Sequence, residues 1–263
     1  MKSLVVATLK GGVGKTSVLS NIAGVMAVSG QRVLVMDMDA QSNLTIGMGV
    51  DVLAAKCRTT VDLFEKEGEI NAESLIVKTK HRNIDIIPAS IFLVSTELKI
   101  APLSGREMIL KNWFKDNHVW LSSNYDYVML DTNPSFNIVN QNAFIASDSI
   151  LLVSDVGLNS YEGAQQFTAL WKDIRRRLRL EENIKALIIN NFDKRIKLAG
   201  EYIEFLQSRE DFASLLVLPT IPYNVKVKES EMDSTPLAFF SPGSPPAKAY
   251  KDIIEVLLAR GVL

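Results

Sequence analysis

Short apolar runs of strand length alternate along the chain with segments whose apolar positions recur at helical spacing. The runs predict strands over Leu4–Thr8, Arg32–Asp37, Ile84–Ile87, Tyr127–Asp131, Ser149–Ser154, Ala186–Asn190 and Leu215–Leu218. Helices are predicted over Thr16–Ser29, Arg106–Phe114, Asn137–Ala146, Tyr161–Arg179, Leu198–Gln207 and Pro246–Arg260. Nearly continuous apolar strands separated by helices are the pattern of βαβ units, in which helices cover both faces of a parallel sheet. The expected fold is therefore α/β: a doubly wound, mostly parallel sheet flanked by helices. Several strands end in polar residues, at the edge where such a sheet binds ligands. No Pro/Gly/Ser-rich linker and no repeat interrupts the pattern, so residues 1–263 read as one domain. The Ser241–Pro246 cluster reads as a rigid turn before the last helix.

Between the first strand and the first helix stands Leu9-Lys10-Gly11-Gly12-Val13-Gly14-Lys15-Thr16-Ser17. Glycines let successive backbone N–H groups turn inward as an anion nest, and the helix beginning near Lys15 adds its positive end. Lys15 then reaches the β- and γ-phosphates, and the Thr16 hydroxyl is placed for Mg²⁺. The ordinary P-loop pattern requires glycine at position 9, where this chain has leucine, followed at once by a second lysine, Lys10. The segment thus matches a P-loop except at Leu9, with Lys10 as an added cation before the glycine turn.

Phosphoryl transfer is mainly positioning and charge stabilisation, so a phosphate cradle needs carboxylates for the metal shell and the attacking water. Two strands end in such groups. Val33-Leu34-Val35-Met36-Asp37-Met38-Asp39 supplies Asp37 and Asp39, and Tyr127-Val128-Met129-Leu130-Asp131 supplies Asp131 in a Walker B arrangement.

Composition narrows the setting. With 263 residues, 47% hydrophobic, the chain has enough apolar material for one large core. No apolar run is long enough to span a bilayer, and Met1-Lys2-Ser3 leads straight into a strand, so a cytoplasmic protein is expected. A single Cys57 forbids an intrachain disulfide and a cysteine cluster within one chain. The net charge of −1 means that any nucleic-acid binding must come from a local patch.

Lys10-Gly11-Gly12-Val13-Gly14-Lys15-Thr16 resembles the deviant Walker A of the ParA/Soj/MinD family of partition and positioning ATPases. Asp37-Met38-Asp39-Ala40-Gln41-Ser42-Asn43-Leu44-Thr45 is similar to the D-x-D-P-Q-x-N-x-T segment of the ParA/Soj branch. Asn191-Phe192-Asp193-Lys194-Arg195 and Ile221-Pro222-Tyr223-Asn224-Val225-Lys226 resemble two later Soj segments, so the likeness runs in register along the chain. The resemblance implies ATP and Mg²⁺ as cofactors and a sandwich homodimer formed on ATP binding. Lys10 would reach the partner's phosphates while Lys15, Thr16 and Ser17 act in cis. Asp39 would activate water, Asp37 and Asp131 would join Thr16 around the metal, and Asn190 with Pro222 would contact adenine. Two departures stand near these positions: Ala40 and Asn133, each where the family has proline.

Ile174-Arg175-Arg176-Arg177-Leu178-Arg179 closes a long predicted helix, where cations also complement the helix dipole. The resemblance implies a second use: a basic face binding double-stranded DNA without sequence preference, with Arg195 and Lys226 at the matching positions, and the local arginine run makes Arg175 and Arg176 further candidates. It implies weak basal ATP hydrolysis, stimulated by a ParB-type centromere-binding partner, in plasmid or chromosome segregation at the nucleoid. No helix-turn-helix precedes the P-loop, so an operon-repressing form is not expected. The alternatives are a MinD-like or other cargo-positioning ATPase and a nucleotide-gated scaffold with little turnover, prompted by Asn133. Apolar residues form one stripe on the final helix, which reads as core packing rather than as a membrane contact.

Overall fold

The computed structural model describes all 263 residues. Its eight strands are β1 (Lys2–Ala7), β2 (Val33–Asp37), β3 (Val77–Lys78), β4 (Ile84–Ile87), β5 (Tyr127–Asp131), β6 (Ser149–Ser154), β7 (Ile184–Ile189) and β8 (Leu216–Val217). They form one sheet in the order β3-β4-β2-β5-β1-β6-β7-β8, parallel throughout except for β3, which pairs antiparallel with β4. The α/β, mostly parallel reading therefore holds. Two residues of β3 are too few to leave a pattern in the sequence. β7 starts earlier than the apolar run does, because exposed Lys185 interrupts it.

Strand pleating sends alternate side chains to opposite faces, which creates two apolar layers. From β1, Leu4 and Val6 enter one layer, shared with helix α1 (Lys15–Val28) and with Ile253 and Leu257 of the Pro245–Ala259 helix. Val5 and Ala7 enter the other, which holds Trp113, Phe144, Phe167 and Trp171. There Phe144 meets Phe167 and Trp171 edge to face, with ring centroids 5.1 and 5.9 Å apart. The apolar stripe of the final helix is thus core, and no helix is long and apolar enough to cross a membrane.

Several helices lie outside the predicted set. Thr60–Glu65 is one, opened by a capping box in which Thr59 and Asp62 satisfy each other's backbone N–H groups. Asn43–Gly47, Leu93–Ile100 and Val225–Met232 are others. The predicted Arg106–Phe114 helix divides into a 3-10 turn, Arg106–Met108, and a helix, Ile109–Asp116.

Topology places the chemistry. β5 is inserted between β1 and β2, so Asp131 at its end is in register with Val6 of β1 on one side and Asp37 of β2 on the other. Both carboxylates and the glycine turn after β1 consequently meet at the carboxyl edge of the sheet.

Candidate functional site

The turn after β1 has the backbone a phosphate cradle requires. Gly12 and Gly14 have φ of 78° and 87°, in the left-handed region that glycine occupies freely. Gly14 precedes α1, whose first turn has no side-chain cap and no acidic residue, so its free N–H groups and positive dipole end face the turn. Gly12, Gly14, Lys15, Thr16 and Ser17 line a cavity of about 420 Å³, together with Asp39, Asn43 and Thr132. The cavity continues toward Lys228, Glu231 and Pro236.

Asp131 is fully buried, and its Oδ2 accepts a hydrogen bond from Thr16 Oγ1 at 2.6 Å. Its Oδ1 is buried without a partner, as is Ser17 Oγ. Asp37 has both oxygens in use: Oδ1 accepts from the Asp39 backbone N–H at 3.0 Å, and Oδ2 from the Thr45 N–H and hydroxyl at 2.9 and 2.7 Å. Asp37 therefore fixes the segment that carries Asp39. Asp39 in turn accepts from the Gln41 N–H at 2.9 Å.

Burial pushes the Asp37 carboxyl up to about 6, against the opposing effect of its hydrogen bonds to Thr45. Burial pushes Asp131 up further, helped by the neighbouring charge of Asp37. Lys15 is lowered by its own burial and partly restored by Asp131 and Asp39. Three carboxylates around one buried ammonium leave an excess of negative charge, with an orphaned oxygen on Asp131. A hard cation coordinated by oxygen relieves both. No group of three or more His, Cys, Asp or Glu side chains forms a metal cage. Mg²⁺ is held by one or two protein oxygens, water and substrate phosphates, and Thr16 and Asp131 offer such oxygens. The residues fit a magnesium nucleotide.

Lys10 and Gly11 stand beside the cavity rather than in it. The Lys10 ammonium pairs with Asp155, just beyond β6, at 2.8 Å. Asp155 also accepts from Ser160 Oγ. Sequence reasoning missed Asp155, although Leu151-Leu152-Val153-Ser154-Asp155 is a third apolar run ending in a carboxylate. Asn190 directly follows β7 and donates to the Val13 carbonyl at 2.8 Å. Pro222 bridges to Phe192 beside it, and neither Asn190 nor Pro222 lines the cavity.

Asn133 is built into a local network. Its Oδ1 accepts from Ser135 Oγ at 2.5 Å and from Asn140 Nδ2 at 2.8 Å, and the same Asn140 amide also donates to the Ser135 carbonyl at 2.8 Å. Side-chain bonds thus shape the turn after Asp131 where a proline ring would otherwise stiffen it.

The four basic candidates are not brought together. Arg195 and Lys226 follow β7 and β8 at the carboxyl edge, paired with Asp193 at 2.6 Å and Glu229 at 2.6 Å. Arg175 and Arg176 close the Leu158–Leu178 helix, which starts at that edge and runs about 30 Å to the opposite one. They pair with Glu182 and Asp173.

The profile of the AAA domain family matches residues 1–186. The sporulation initiation inhibitor protein Soj of Bacillus subtilis is 28% identical over 260 residues, covering 99% of each chain. A chromosome-partitioning ATPase Soj of Treponema pallidum is 27% identical over 259 residues, 98% of each chain. Among solved structures, a plasmid partition protein of Borrelia burgdorferi bound to AMPPNP superposes with a TM-score of 0.80 at 22% identity, over 98% of this chain and 99% of that one.

Proposed function

The chain belongs to the AAA domain family, and from that membership we propose that it is a ParA/Soj-type partition ATPase that uses ATP with Mg²⁺. The observation that carries this reading is the 2.6 Å bond between Thr16 and Asp131, which joins the phosphate loop to the strand-end carboxylate. The bond supports the reading because a nucleotide-bound metal would need both groups.

In this reading Lys15 and the N–H groups of Gly12 to Thr16 bind and orient the phosphates. Thr16 and Asp131 would hold the metal, while Asp37 braces the segment behind them. Magnesium, when bound, offsets charge on the β- and γ-phosphates. Asp39 orients the hydrolytic water. Lys10, released from Asp155, reaches the nucleotide of a second copy, which makes hydrolysis conditional on dimerisation. Arg195 and Lys226 supply non-specific DNA contacts at the nucleoid, and a ParB-type partner stimulates hydrolysis. Asn190 and Pro222 border the adenine. Burial of the final helix's apolar stripe favours this reading over a MinD-like protein docked on a membrane through that helix.

Light scattering with and without ATP and Mg²⁺, followed by a gel shift on random-sequence DNA, tests the proposal. ATP-dependent doubling of mass and ATP-dependent retardation are expected. A monomer under both conditions, with no retardation at low salt, would refute it.

A further inference from the structure

We infer that Asn190 is a positioning residue of the phosphate loop: its side-chain amide sets the orientation of the Val13–Gly14 peptide and so aims the Gly14 N–H at the phosphates. The inference rests on the nucleotide-binding reading above and gives that site a part that base recognition alone does not.

Asn190 is 5% exposed and comes from a rigid place. Its own N–H donates to the Ser154 carbonyl of β6 at 2.7 Å, and the chain beyond it is tied to the segment that follows β8 by the Phe192 N–H bonded to the Ile221 carbonyl at 2.9 Å. From there Nδ2 reaches the Val13 carbonyl at 2.8 Å. A carbonyl oxygen only accepts, so the atom facing it is the amide nitrogen, and Oδ1 points elsewhere.

The rest follows from peptide geometry. In a planar trans peptide the carbonyl of one residue and the N–H of the next point in opposite directions. With the Val13 carbonyl drawn to Asn190, the Gly14 N–H leaves on the other side, toward the cavity lined by Gly12, Gly14 and Lys15. Glycine at 14 is required twice over. Its φ is 87°, and a Cβ there would collide with the Asn190 amide nitrogen. The same glycine makes the peptide easy to turn over, because no side chain resists it. Turned over, it would present a carbonyl oxygen to the phosphates. Asn190 is the group that prevents this, and without it the Val13 carbonyl loses its partner in a buried setting.

Two other roles make different predictions. A residue that only reads the base affects ATP but not a phosphate chain without a base, and one that only ends a strand affects neither. Calorimetry should therefore compare magnesium tripolyphosphate with magnesium ATP on wild type, Asn190→Ala and Asn190→Asp. The aspartate keeps the shape and an acceptor for a base but cannot donate to Val13. Both variants should lose about five- to tenfold in tripolyphosphate affinity, the effect of one hydrogen bond at the cradle. In [¹⁵N]glycine-labelled protein the Gly14 amide should shift less on adding tripolyphosphate, while the remote Gly30 amide keeps its wild-type position and reports an intact fold. Tripolyphosphate affinity within about twofold of wild type in both variants would overturn the inference, whether or not ATP affinity falls. Failure of wild type itself to bind magnesium ATP would instead sink the nucleotide-binding reading.

Discussion

The Lys10 ammonium is held by the Asp155 carboxylate, Nζ to Oδ1 at 2.8 Å and to Oδ2 at 3.2 Å, with Ser160 donating to the same carboxylate. For Lys10 to reach a second copy, the pair must break. Partly exposed ion pairs contribute about 0.2–1 kcal/mol, so Asp155→Asn should lower the ATP concentration for half-maximal dimerisation by about two- to fivefold. Lys10→Ala should dimerise poorly at any ATP concentration. Sedimentation across an ATP titration checks both, and an unchanged midpoint for Asp155→Asn would mean that the pair does not restrain assembly.

Arg195 is gripped by Asp193, whose carboxyl is held down to about 2 by that hydrogen-bonded guanidinium. A DNA phosphate must compete with it. Asp193→Asn should therefore tighten ATP-dependent DNA binding, whereas Arg195→Glu and Lys226→Glu should weaken it and flatten its salt dependence, by about one unit of log–log slope for each DNA phosphate no longer neutralised. Arg175→Glu and Arg176→Glu, at the far end of the sheet, should have less effect. Equal losses from all four charge reversals would show that the two ends act as one surface.

Asp131→Asn separates folding from function. The folded-state values of Asp37 and Asp131 lie above the ordinary carboxylate value of 3.8. Such groups contribute stability that is complete below that value and lost as pH rises through the folded value, about 6 for Asp37 and higher for Asp131. Replacing Asp131 by a neutral isostere removes part of that loss. The nucleotide-free variant should be more stable than wild type by a margin that widens between pH 5 and pH 8, reaching about 1–3 kcal/mol in denaturant unfolding. Magnesium ATP should stabilise wild type more than the variant. A constant or negative margin across that range would show that Asp131 is not strained by its burial.

The strands were legible because nearly all are buried on both faces, so apolar runs such as Leu4–Ala7 and Ile150–Val153 mark them directly. The phosphate loop was legible because glycine, lysine and threonine each have a separate task at fixed spacing. The ordering of strands was not: nothing local in Tyr127–Asp131 says that it lies between β1 and β2, yet that insertion is what brings Asp131 to Thr16. Long-range side-chain pairings were hidden for the same reason. Asp155 meets Lys10 across 145 residues, and Asn190 meets Val13 across 177. The likeness of Arg175 to Arg195 as basic residues also concealed that a 21-residue helix separates the two ends of the sheet.

At Gly24, in the middle of α1, helix propensity and packing disagree. Alanine is favoured over glycine in a helix interior by about 1 kcal/mol, which alone would make Gly24→Ala stabilising. A Cβ on Gly24, however, would lie 2.6 Å from the Pro236 Cβ and 3.6 Å from the Ala238 Cβ. The obstacle is a proline ring on a segment held by the Leu237 N–H bonded to Asn21 Oδ1 at 2.7 Å, so it cannot swing aside as a flexible side chain would. Overpacking of this kind costs about 1–3 kcal/mol, so the net effect should be destabilising, and the Pro236 wall of the nucleotide cavity should move with it. Denaturant unfolding should show a lower midpoint for Gly24→Ala, with ATP affinity reduced in parallel. Gly30→Ala makes the control, because a Cβ there meets nothing within 4 Å and its cost comes only from a φ of 90°. A Gly24→Ala protein as stable as wild type would mean that the Pro236 segment yields, and that the seam between α1 and the cavity wall is softer than its hydrogen bond implies.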